Sequence, residues 1–134
     1  FSKLQKGESV TVSGRKISPE QVIGESRPGR KVVYSGDTRP CEPIARESYG
    51  ADLLIHDGTL ADELKDWARE TKHSTSGEAA ILAKKANVKQ LVLTHISSRY
   101  SENTAILYRD AKNVFDRVKI AEEFMELEIQ LSDK

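Results

Sequence analysis

Asp37, the pair His56-Asp57, and His95 each follow a short apolar run, respectively KVVYSG, DLLI and LVLT. Runs of this kind, brief and rich in β-branched and aliphatic residues, read as buried strands. The four side chains therefore fall at the carboxyl ends of strands. In open α/β sheets that rim is where ligands bind, because successive strands deliver their following loops to one edge. His73 joins the rim from a different direction: Thr75 and Glu78 have capping-box spacing, so a helix starts after Thr75 and His73 lies in the loop before it. Imidazole nitrogens and carboxylates gathered on one rim, without a thiolate, suit a hydrolytic Zn²⁺ site.

Taken one at a time, these residues have plainer readings. An Asp after Gly, as in Gly36-Asp37, is a common turn former. A strand-end histidine is more often a satisfied structural residue. The capping box by itself explains Thr75 and Glu78. Arg39, Lys72 and Arg99 taken singly are ordinary surface charges. It is the joint placement that points to chemistry.

Helical patterns fill the gaps between the strands. Leu60, Leu64, Trp67 and Ala68 make one apolar face, and Ala79, Leu82, Ala83 and Ala86 make another. A third helix is read from Leu107, Ala111, Val114, Phe115 and Val118, entered at Asn103 or Thr104, and a last strand from LEIQL at 127–131. Upstream, Val10 and Val12 in ESVTVSG suit a short strand and turn, and Ser18 to Arg30, with Pro19, Gly24, Pro28 and Gly29, is mostly connection. Repeated β–α units give an α/β class with a parallel or mixed sheet and helices packed on it.

Composition narrows the classes. The 134 residues hold 21 basic and 21 acidic side chains, so any nucleic-acid site must be a local patch. A single cysteine, Cys41, excludes an internal disulfide or a thiolate cage. No apolar run approaches the roughly 18 residues of a membrane helix, and the opening FSKLQKGESV lacks the features of a secretory signal. The expectation is a cytoplasmic chain without a membrane partner. A start at Phe1 in a polar stretch reads as the middle of a longer or processed protein.

The segments GRKVVYSGDTRP (29–40), DLLIHDGTL (52–60), KHSTSGEAA (72–80) and LVLTHISSRY (91–100), in this order and with these gaps, resemble tRNase Z. This is a family of zinc-dependent endoribonucleases of the metallo-β-lactamase fold that trim the 3′ ends of precursor tRNAs. The strand-end Asp and the last His would be shared by other branches of the fold, whereas HST and THISSRY are more particular. LQKG, VSG, SPEQVIG and RPGRK resemble the family segment ahead of the GDT motif, so the likeness covers nearly the whole chain.

The resemblance implies the C-terminal half of an αββα sandwich, with a mixed sheet and helices on one face. Residues 1–30 would be a lead-in after a missing RNA-binding exosite arm, and 31–134 the β/α half. Asp37 resembles the carboxylate that bridges two metal ions, and His95 the last histidine ligand of one of them. His73 resembles the catalytic histidine that assists the leaving group, paired with the acid of a His-Glu-Ala-Thr segment. Here that segment reads His56-Asp57-Gly58-Thr59, a shorter acid followed by a glycine that would permit a shifted backbone. Ser97, Ser98 and Arg99 would hold a phosphate beside the metals. The family's His-x-His-x-Asp-His motif is absent from these residues, whose only histidines are His56, His73 and His95.

The implied cofactor is Zn²⁺, two per complete site, with Mn²⁺ as the other option. The implied partners are precursor tRNA, the missing N-terminal half and a second copy in a homodimer. This chain alone is then expected to be inactive. Two other functions compete: a hydrolase of the same fold acting on a small phosphodiester or ester, and a non-catalytic interaction domain.

Overall fold

A computed structural model describes residues 1–24 and 28–131; residues 25–27 of the expected connection lie outside it. In chain order the elements are α1 (Ser2–Gln5), β1 (Val10–Val12), β2 (Arg15–Ile17), β3 (Val32–Tyr34), α2 (Glu42–Glu47), β4 (Leu53–Asp57), α3 (Lys65–Thr71), α4 (Ser76–Lys85), β5 (Leu91–Thr94), α5 (Ala105–Lys112) and β6 (Val118–Ile120). Strands β1 and β2 form an antiparallel ribbon. The other four make a parallel sheet in the order β3-β4-β5-β6. Spatial order equals chain order, so right-handed crossovers all turn the same way and lay their helices on one face.

Register decides which side chains meet those helices. Val33 pairs with Leu54, Leu54 with Leu91, and Leu91 with Val118. These residues, with Leu93, pack against Ala79, Ala80, Leu82, Ala83 and Ala86 of α4 and its C-terminus, and against Ala111 of α5. Alanines on α4 let its backbone approach the sheet closely. Burying each leucine stabilises the fold by about 1.5–3 kcal/mol. The opposite face carries Val32 and Tyr34, both exposed, half-buried Ile55, and buried Leu53 and Val92. Helices therefore cover one face, as expected, and β3 is left partly open on the other.

Two expectations about the end of the chain need correcting. The third helix stops at Lys112, where Val114 and Phe115 N–H groups close on the Ala111 carbonyl. Val118 belongs to β6, a short β-branched strand that the helical reading had absorbed. Residues 127–131 form no ladder, although Leu127 and Ile129 are half-buried and alternate with exposed Glu128 and Gln130. The Arg30 guanidinium donates to the Ile129 carbonyl at 2.6 Å. Among the described residues the main sheet is thus parallel throughout, not mixed.

The start of α4, which fixes the His73 loop, is capped twice. Thr75 accepts from the Glu78 N–H while the Glu78 carboxylate accepts from the Thr75 N–H, the box read from the sequence. Asp62 adds a second acceptor for the Gly77 N–H at 3.0 Å. It comes so close that a Cβ on Gly77 would lie 2.1 Å from its carboxylate oxygen. Gly77→Ala should therefore displace Asp62 and lower stability by about 1–2 kcal/mol. Denaturant melts check this: in an Asp62→Ala background the same change should cost little, and an equal cost in both backgrounds would refute the steric account.

Candidate active site

β3, β4 and β5 end side by side, and the backbone then turns sharply at two of them. Gly36 (φ 65°) and His95 (φ 57°) both adopt left-handed conformations. Glycine takes this geometry without strain, whereas histidine does so at some cost, as functional positions often do. The turns carry Asp37 and His95 toward each other, with His95 Nε2 3.3 Å from Asp37 Oδ2. Both side chains are about half exposed, at 42% and 52%. The neighbouring loops are tied together: the Gly58 N–H donates to the Thr94 carbonyl and the Ser97 N–H to the Thr59 carbonyl.

Asp57 lies beneath this rim with no exposure. Its carboxylate accepts from His73 Nδ1 at 2.7 Å, from the Thr59 hydroxyl at 2.6 Å, and from the N–H groups of Thr59 and Thr38 at 2.9 and 3.0 Å. A longer bond comes from the Ser74 N–H at 3.4 Å. Burial pushes this carboxyl up, but the bonds from Thr59, His73 and Thr38 outweigh it and hold Asp57 below the usual carboxylate range. The shorter acid thus reaches His73 directly. Gly58 is needed for a different reason than backbone freedom. Its φ is not left-handed, but a Cβ there would meet the Leu93 side chain at 2.9 Å.

The bonds assign the ring protons. Ionised Asp57 can only accept, so His73 Nδ1 carries a proton and Nε2 faces outward. The Thr59 hydroxyl donates to Asp57 and so must accept from His95 Nδ1, 2.8 Å away. His95 Nε2 is the ring nitrogen left to face Asp37. The two rings stack at 4.8 Å.

Asp57, His73 and His95 offer ligand atoms within 4.8 Å of one another. Asp57 and His73 are already committed to each other, so this trio does not suit a metal as it stands. Asp37 and His95 do: a carboxylate oxygen and an imidazole nitrogen not engaged by Thr59 converge on the surface, the residue types of a zinc site.

The His73 loop is held by a residue that sequence reading treated as a plain surface charge. Arg39 makes two 2.6 Å bonds to the Glu78 carboxylate and donates to the His73 carbonyl at 2.7 Å. Burial pushes Glu78 up, yet Arg39 and the Thr75 N–H bring it below its ordinary value. The signal available was Arg39 beside the GDT turn together with a capping glutamate, but nothing in their spacing paired them. Ser97, Ser98 and Arg99 lie beside this rim on a short 3₁₀ turn whose Tyr100 hydroxyl is anchored by the Ala61 N–H at 3.0 Å. His56 points away from the rim and is fully buried. Its Nδ1 donates to the Asp57 carbonyl, and its Nε2 has no partner among the described residues.

The chain is similar to known proteins in both sequence and fold. A family model described as "Beta-lactamase superfamily domain" matches residues 9–96. The chain is 58% identical to a ribonuclease Z of Methanosarcina acetivorans over 96% of its length and 51% identical to one of Archaeoglobus fulgidus over 99%. It spans 42% and 44% of those proteins, respectively. Among solved structures, the short form of human tRNase Z superposes with a TM-score of 0.61 at 35% identity, covering 87% of this chain and 37% of that one. The metallo-β-lactamase fold protein YhfI of Bacillus subtilis gives 0.61 at 32% identity, covering 68% and 36%. The tRNase Z resemblance and the α/β fold class read from the motifs are borne out.

The buried histidine generates a pH test. Burial lowers the affinity of His56 for a proton, so the folded state binds fewer protons there than the unfolded chain does. The stabilising effect is complete above the unfolded value near 6.5 and is lost as pH falls below it, at up to about 1.4 kcal/mol per pH unit. Asp57 acts in the same direction at lower pH, being lost as pH falls through its lowered folded value. Urea melts at pH 7.5 and 5.5 should show a loss of stability that His56→Leu largely removes. An unchanged loss in the variant would show that other groups carry it.

Proposed function

We propose that this chain, which belongs to the β-lactamase superfamily, is part of an endoribonuclease that removes 3′ trailers from precursor tRNA. The observation that carries this is the Asp57–His73 bond beside the converging Asp37 and His95, set within the HST and THISSRY segments. Asp37 and His95 would hold the metal, with zinc favoured by the nitrogen and oxygen donors. When bound, the metal ions polarise the phosphodiester and acidify a water.

The remaining chemistry belongs to this chain's residues. As a water oxygen bonds to phosphorus, its proton passing to a base that we place in the rest of the protein, the bond from phosphorus to the ribose 3′ oxygen breaks, and that oxygen needs a proton. His73, oriented through Nδ1 and carrying a second proton on Nε2, delivers it from Nε2 and is left as the neutral ring. Asp57 keeps the ring fixed while the proton moves. The products are a 3′-hydroxyl on the tRNA and a 5′-phosphate on the trailer. Arg39 acts behind the site by holding the His73 backbone.

Asp37 and His95 are too few ligands for a closed zinc site, and we place the further ligands, and the RNA-binding arm, in the rest of the protein. That portion would also cover the open side of β3. A homodimeric, cytoplasmic enzyme is part of the same proposal, supported by the resemblance; no helix among the described residues is long and apolar enough to cross a membrane.

In the complete protein, cleavage of precursor tRNA against a chromogenic phosphodiester tests the substrate class, and activity only on the small ester would overturn it. Asp37→Ala should lose metal and activity together. His73→Ala should slow turnover by about 10²–10⁴-fold with metal content kept. Equal metal loss in both variants would make His73 a ligand and sink the proton-donor role. Asp57→Asn should also lower the rate, and unchanged turnover would show that another group orients His73.

A further inference from the structure

Trp67 is the only tryptophan of the chain, and it lies 45% exposed on α3. Arg99 reaches across from the turn after β5, its guanidinium carbon 4.4 Å from the centroid of the indole. That turn is rigid, because Tyr100 is buried and its hydroxyl is bonded to Ala61. A cavity of about 210 Å³, bordered by Leu60, Trp67, His73, Ser97 and Arg99 among others, opens beside the stack. The guanidinium forms no ion pair among the described residues, and with its carbon over the indole its N–H groups are available to a phosphate.

We propose that Trp67 and Arg99 form a stacking platform for the base of the nucleotide whose 3′ oxygen leaves during cleavage. Planar rings and guanidinium groups are the surfaces on which splayed single-stranded bases stack. The direction follows from the proton transfer. His73 hands its proton to the 3′ oxygen, so the ribose nearest His73 is the one that keeps that oxygen. The cavity His73 shares with Trp67 and Arg99 then receives the base of the same nucleotide. Trp67 holds the guanidinium in place over its ring, and Arg99 turns its planar group to the base and its N–H groups to a flanking phosphate. The placement rests on the endoribonuclease reading; the existence of the platform does not.

Two measurements on the complete, metal-loaded protein separate these points. In a kinetic cycle, Trp67→Leu should lower kcat/KM on precursor tRNA about tenfold but have little further effect on a substrate that is abasic at the nucleotide before the cleaved bond. Trp67→Phe, which keeps a flat ring, should retain most activity. Arg99→Lys, which keeps the charge without the plane, should fall with Trp67→Leu. Equal losses on intact and abasic substrates, coupling to the nucleotide on the other side of the bond, or wild-type behaviour of Arg99→Lys would overturn the proposal.

The second measurement needs no cleavage. The emission lost in Trp67→Leu should be quenched in the wild type by adenosine monophosphate and not by ribose 5-phosphate, and identical responses to the two would refute the platform. Failure of the wild type to cleave precursor tRNA would count against the endoribonuclease reading, and the quenching alone would then decide the platform.

Discussion

Everything at this rim hangs on one buried negative charge. A carboxylate removed from water is costly unless it is fully bonded, and Asp57 meets that demand with donors from three loops: Thr38 after β3, Thr59 after β4, and His73 and Ser74 before α4. The cost and the architecture are therefore the same fact. Each loop is fixed because it supplies a donor, and the donors are present because the charge would otherwise be intolerable. Neutralising Asp57 would loosen three segments at once, which is why its role cannot be separated cleanly into folding and chemistry.

Through Thr59 this charge also reaches the second histidine. One carboxylate holds His73 directly and His95 by way of a hydroxyl, and in each ring Nδ1 is the nitrogen engaged. Both Nε2 atoms are left to act outward. The rings are stacked, yet only His95 faces Asp37, because the left-handed turn after β5 swings it there. Backbone geometry thus aims two like side chains differently, which is what separates the proposed ligand from the proposed proton donor.

Much of this was legible in the sequence, for identifiable reasons. The strands that lead to Asp37, Asp57 and His95 are short and apolar, so their composition alone marks them, although only β4 and β5 are buried and β3 leaves Val32 and Tyr34 exposed. The helix after His73 announces itself through Thr75 and Glu78. What local pattern failed to show was either long-range or ambiguous in period. Arg39 meets Glu78 across 39 positions, and no spacing rule reports such a pair. Val118 continues a helical apolar stripe equally well as it begins a strand, and tertiary pairing with Leu91 decided it. LEIQL has the alternation of a strand, but alternation specifies a face and not a partner.

The two arginines around the site are partnered in different ways within a chain of no net charge. Arg39 is paired with Glu78, so its charge is compensated within the fold and serves geometry. Arg99 lies against an aromatic ring instead of a carboxylate. An indole face attracts the guanidinium without neutralising it, and it fixes the group's position before any later binding. Net charge averages these two arginines together. The partner of each, one an acid and one a ring, determines which of them keeps its charge uncompensated.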